Sequence, residues 1–180
     1  MTQPINYEII TVPHPVLKQT AQEVAHIDDM IRTQLKQMLS AMYDANGIGL
    51  AANQVGLLNR VLVMDLQDRD DPIAPKTHKP IFMVNPQLVW QSEEKSAMDE
   101  GCLSIPGMYA NVERPAEVRV QYWDYEGNEQ ILSARGLLSH CVQHEIDHLN
   151  GILFVDHLSA LKRNMILRKF AKIQKTQKIL

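Results

Sequence analysis

"GLLSHCVQHEIDHLNG", Gly136 to Gly151, decides how the rest of this chain must be arranged. It reads as a helix from about Gly136 to Asn150, with Gly151 where a left-handed cap belongs. It carries His144, Glu145 and His148 in a His-Glu-x-x-His spacing. A helix turns about 100° and rises about 1.5 Å per residue, so His144 and His148 share one face, roughly one turn apart. Neutral imidazoles placed so can both hold one divalent ion. Glu145, one step on, cannot point the same way as both. It can reach the edge of the site, take a proton from an attacking water and hand it to a leaving amine. The bland reading, two helix histidines beside a solvated glutamate, weighs less against the full pattern.

Working outward, a second helix is expected from about Ile27 to Asp44. Ile27, Ile31, Leu35, Met38 and Met42 recur at three- and four-residue steps. Asp28 and Asp29 suit its positive end, and Asn46-Gly47 ends it. "GIGLAANQVG" (Gly47 to Gly56) breaks both helical and strand patterns. "RVLVMDL" reads as a buried strand, "IFMVNPQLVWQ" as two short strands split at Asn85-Pro86, and "EVRVQYWDYEGNEQILSA" as a hairpin turning at Glu126-Gly127-Asn128. Gln67 to Pro80 is a polar, Pro-rich loop to which no function attaches. A last helix starts at about Ser159. The expected class is α+β, with antiparallel sheets packed around a central metal-binding helix and with an N-terminal and a C-terminal helix.

The 180 residues fit one domain, 1–180, with a basic C-terminal helix from about 159. A net charge of −3 makes no case for DNA, but from Leu158 onward there are seven basic residues and no acidic one. Two cysteines are too few for a disulfide framework. With no signal-like start and no membrane-length apolar run, a cytoplasmic protein is expected.

A catalytic metal needs a third ligand. After the helix the candidates are Asp156 and His157, the choice a zinc peptidase would make. Upstream lies "EGCLSIPG", in which Cys102 offers a thiolate; Cys-His-His leaves a fourth position open. Cys141 reads as a small buried hydrophobe. Asp147 is expected to meet solvent or orient a ligand imidazole, and His157 to be structural. A non-enzymatic module with a structural metal is the third alternative.

"GIGLAANQVG", "EGCLSIPG" and "QHEIDHLNG", in this order and at these separations, resemble the peptide deformylase family over essentially the whole chain. The resemblance implies hydrolysis of the N-formyl group from the N-terminal formyl-methionine of new polypeptides, releasing formate. It implies the metal ligands Cys102, His144 and His148, with Fe²⁺ the expected ion and Zn²⁺ or Ni²⁺ able to replace it. It implies Glu145 as acid–base residue, Gln54 and the Leu103 N–H as donors to the oxyanion, and Ile48 with Gly49 as backbone partners of an extended peptide. Glycine at 49 also permits close backbone approach to a ligand. His140 departs from the family's usual apolar residue; an outward rotation is expected, a polar wall of the side-chain pocket being the alternative. Tyr109 falls in a variable stretch bordering that pocket. The basic C-terminal helix has two readings, a solvated amphipathic helix or a contact with ribosomal RNA. The second expects deletion after Ala160 to weaken ribosome binding while sparing turnover of a short peptide.

Overall fold

The computed structural model describes residues 7–67 and 77–177. Helix α1 spans Asp29–Asp44. It begins two residues later than its periodicity implies, because the Asp28 carboxylate accepts from the Ile31 N–H at 2.9 Å and caps it. Asn46, at φ 56°, ends it in the left-handed region. The small-residue segment then gives strand β1 (Gly49–Ala51) and a single 3-10 turn, Ala52–Val55.

Strands β2 (Val61–Met64) and β3 (Ile81–Gln91) follow. The expected break at Asn85-Pro86 is a bulge inside one strand: Asn85 takes φ 51° and the register shifts between Val84 and Gln87. The polar loop at Gln67 to Pro80 lies largely outside the described residues. Strands β4 (Lys95–Gly101) and β5 (Tyr109–Pro115) form a separate two-stranded ribbon. Sequence offered no warning of β4, since "KSAMDEG" holds no β-branched or aromatic residue. The hairpin β6 (Glu117–Trp123) and β7 (Glu129–Arg135) is as expected, and completes an antiparallel sheet in the order β1-β2-β3-β6-β7.

Helix α2 spans Gly136–Leu149 and lies across one face of that sheet. Alternation along β2 divides the core. Leu62 and Met64 pack with Val142, Ile146 and Leu149 of α2, whereas Val61 and Val63 pack with Leu35, Met38 and Met42 of α1. Gly151, at φ 74°, ends α2 against the start of the chain; a Cβ there would meet the Lys18 carbonyl oxygen at 2.5 Å.

A third cluster joins the N-terminal segment (Val12, Val16, Leu17), β5 and helix α3, Ala160–Gln177. Phe170 is the buried anchor of α3, with Ile166 and Leu167 partly buried beside it. Ile173 is exposed, although it lies one turn after Phe170; Gln174 turns inward instead and donates to Thr11 Oγ1 at 3.0 Å. No helix among the described residues is long and apolar enough to cross a membrane.

Candidate metal centre

Three segments converge beside α2. Cys102 directly follows β4, and its Sγ lies 3.2 Å from His148 Nε2. His148 Nε2 lies 3.1 Å from His144 Nε2. The three donor atoms are within 4.8 Å of one another, the only such grouping of His, Cys and acidic side chains among the described residues. Ligands at about 2.1 Å in tetrahedral array stand about 3.4 Å apart, so the nitrogens are spaced to within a few tenths of an ångström for a shared cation. Burial holds His148 well below its ordinary pKa, with His144 adding to the effect. Burial opposes the charging of His144, but hydrogen bonds to Cys102 and Glu100 outweigh it and raise its pKa. One thiol and two imidazoles are donors that suit a divalent transition-metal ion.

Glu100, near the end of β4, organises the surroundings. Its Oε1 receives Arg114 Nε at 2.6 Å and His140 Nδ1 at 3.0 Å. Its Oε2 receives Arg114 Nη2 at 2.9 Å and His144 Nδ1 at 3.0 Å. Burial would raise its pKa, but Arg114 and the two imidazoles hold it well below the usual carboxylate range. The bond to His144 Nδ1 leaves Nε2 as the ring atom turned toward Cys102 and His148. Asp147 orients neither donor imidazole. It accepts from Arg114 Nη1 at 2.7 Å and pairs with His157 Nε2 at 2.7 Å. Asp156 pairs with Lys18 and Arg163. Neither Asp156 nor His157 joins the donor cluster, which removes the third ligand a peptidase site would need. Sequence reading missed the parts played by Glu100 and Arg114. Glu100 stood inside a singled-out motif, but Arg114 had no marker at all.

Glu145 is 4 % exposed, and its Oε2 has no partner among the described residues. Burial pushes its carboxyl up to about 7, with His144 lowering it and Glu100 adding to the rise. A cation on the neighbouring donors acts in the lowering sense. Gln54 sits in the 3-10 turn, fully enclosed. Its Oε1 accepts from the Ala51 N–H at 2.9 Å, which aims Nε2 at Ser104 Oγ (3.1 Å) and Cys102 Sγ (3.6 Å).

A cavity of about 440 Å³ opens on these groups. Gln54, Cys102, Leu103, His144 and Glu145 line it, as do Ile48, Gly49, Leu137 and His140. Among the described residues β1 is an end strand that pairs with β2 alone, and Gly49 at its start lines the cavity. Tyr109 borders the cavity and lies over Gly101, where a Cβ would meet its Cε1 at 2.5 Å. His140 does not rotate outward. It is 2 % exposed and hydrogen-bonded at both ring nitrogens. Cys141 is buried as expected, and burial raises its thiol pKa.

A cysteine, two helix imidazoles and a buried carboxylate beside a cavity are the groups that a metal-dependent hydrolase uses. Residues 6–164 match the family model for polypeptide deformylase. The chain is 50 % identical over 169 residues to the peptide deformylase of Rhizobium meliloti, covering 94 % of each. It superimposes on the crystal structure of peptide deformylase from Ehrlichia chaffeensis with a TM-score of 0.89 at 40 % identity, covering 95 % of this chain and 98 % of that one. A second structure from that organism, in complex with actinonin, gives a TM-score of 0.85 at 42 % identity over 92 % of this chain and 96 % of that one. The chain belongs to the polypeptide deformylase family.

Proposed function

We propose that the Cys102–His144–His148 site hydrolyses the N-formyl group of formyl-methionine at the start of newly made polypeptides, releasing formate. As a member of its family the chain is a hydrolase of that bond and is metal-dependent. The observation that carries the residue assignment is the convergence of Cys102, His144 and His148, the first two of which line one cavity with Glu145 and Gln54. The ion we propose is Fe²⁺, with Zn²⁺ or Ni²⁺ as alternatives; one thiolate and two imidazoles suit all three. Bound there, the cation supplies Lewis-acid activation of water and of the formyl oxygen.

The chain's own residues do the rest. Glu145 accepts the proton of the attacking water as the new C–O bond forms at the formyl carbon. Gln54 Nε2 and the Leu103 N–H donate to the developing oxyanion, fixed in place before the reaction. Glu145 then returns the proton to the departing nitrogen, the C–N bond breaks, and formate and a free amine leave. Ile48, just before β1, and Gly49, its first residue, pair with the extended peptide backbone. Glu100 keeps His144 oriented throughout.

The test is to purify the protein anaerobically, measure its metal, and compare formyl-Met and acetyl-Met peptides. Formate release from the first and inertness of the second are expected. No formate from the formyl peptide sinks the reading.

We further propose a cytoplasmic enzyme that meets its substrate at the ribosome through α3. Six basic residues, from Lys162 to Lys175, line this helix and lie exposed around the Phe170 anchor. Clustered cations bind phosphate with strong salt dependence. Deletion after Ala160 is a poor test, because it would remove Phe170 from the core. Replacing Arg168, Lys169, Lys172 and Lys175 by Gln leaves the anchor in place. Ribosome affinity should fall steeply while peptide turnover holds; unchanged affinity would reject the contact.

A further inference from the structure

His140 lines the cavity one helical turn before His144 and has no part in the steps above. Its setting is unusual for a pocket wall. Nδ1 lies 3.0 Å from Glu100 Oε1, and Nε2 lies 2.9 Å from Ser96 Oγ. Glu100 also receives Arg114 on both oxygens and His144 on Oε2. A carboxylate ringed by four donors is ionised and can only accept. The His140 hydrogen therefore sits on Nδ1, and in the neutral ring Nε2 accepts from the Ser96 hydroxyl. Both nitrogens are thus occupied, and the ring surface left for the cavity is carbon.

We propose that Ser96 is a specificity-determining residue: by capping Nε2 of His140 it makes a polar ring into an apolar wall, so the cavity selects an apolar, flexible first side chain over one that donates hydrogen bonds. This rests on the deformylase reading of the site. The scissile formyl nitrogen is attached to the first Cα, so that residue's side chain starts beside the donors and extends about one helical turn, to the level of His140. A polarisable thioether suits an aromatic carbon surface. Without the Ser96 hydroxyl, Nε2 becomes an unpaired buried acceptor, which an amide N–H entering the cavity would satisfy.

The experiment is a double-mutant cycle on substrate preference. For each enzyme, kcat/KM is measured on a formyl-norleucyl and a formyl-glutaminyl peptide, and the ratio is taken on one preparation so that any misfolded fraction cancels. Ser96→Ala should lower the norleucine-to-glutamine ratio roughly tenfold, the factor one hydrogen bond is worth. In a His140→Leu background, Ser96→Ala should leave the ratio unchanged. An unchanged ratio in Ser96→Ala alone overturns the proposal, as does an equal fall in the His140→Leu background. A wild-type enzyme that releases formate from neither peptide, nor from formyl-Met, overturns the deformylase reading and this inference with it.

Discussion

A Cβ built on Gly49 would lie 2.3 Å from Glu145 Oε1 and 2.8 Å from its Cδ. The carboxylate proposed to act on the substrate is therefore seated directly against the backbone of β1. Glycine at 49 was expected for the sake of an approaching ligand; its first occupant is the protein's own glutamate. Gly49→Ala must push Glu145 aside. Turnover should fall by about 10²-fold or more, within the range an acid–base group supplies, while bound metal stays constant. Parallel assays of formate release and metal content decide it, and normal turnover in the variant would refute the contact.

Glu100→Gln should loosen the metal. The neutral amide loses the charge that holds His144 Nδ1, and loss of such a partner costs about 10- to 100-fold in metal affinity. Asp147→Asn should cost clearly less, because Asp147 touches Arg114 and His157 but not a donor imidazole. Chelator competition ranks the two; equal losses would show that the Glu100–His144 bond is not the deciding one.

Arg114→Met should be the most destabilising of these changes. Arg114 is 4 % exposed and bridges Glu100 and Asp147, so its loss leaves two carboxylates without their cation. Breaking a buried pair from one side costs about 3–5 kcal/mol. Urea midpoints should show it, and a shift too small to resolve would contradict the buried bridge.

Asp156 gives a modest pH dependence of stability. Burial works to raise its pKa, but Lys18, the Leu153 N–H and Arg163 outweigh this and hold it below its ordinary value of 3.8. A depressed folded pKa contributes stability that is present above the unfolded pKa and is lost as pH falls through the folded one. Lys18→Met should therefore lower stability at pH 7, by no more than about 1 kcal/mol because Lys18 is half exposed. The difference from wild type should shrink below about pH 4. A gap that persists undiminished at pH 2 would count against the pairing.

The sequence made the helices and the His-Glu-x-x-His grouping legible because both rest on short-range spacing. His144 and His148 are fixed by helical periodicity alone, and α1 shows its buried face at three- and four-residue steps. Two elements escaped. β4 has weak strand propensity and exists because its inward side chains, Ser96 and Glu100, find partners on α2 and β5. Arg114 lies far along the chain from both carboxylates it joins, and no local pattern marks such a long-range pair. His140 was misjudged for the same reason: its direction depends on Glu100 and Ser96, which helix geometry does not reveal.

The ribbon β4-β5 meets α2 through Ser96, Glu100 and Arg114, that is, through charge and hydrogen bonds as much as through oil. Apolar contacts tolerate sliding; a buried carboxylate does not. A one-residue slip of β4 would turn Glu100 to the opposite face and strand Arg114. The ribbon thereby proofreads its own register. Because Cys102 follows β4 directly, a misaligned copy would not bring its sulfur beside His144 and His148, and a mistake in strand alignment would show itself as a chain without the three-donor grouping.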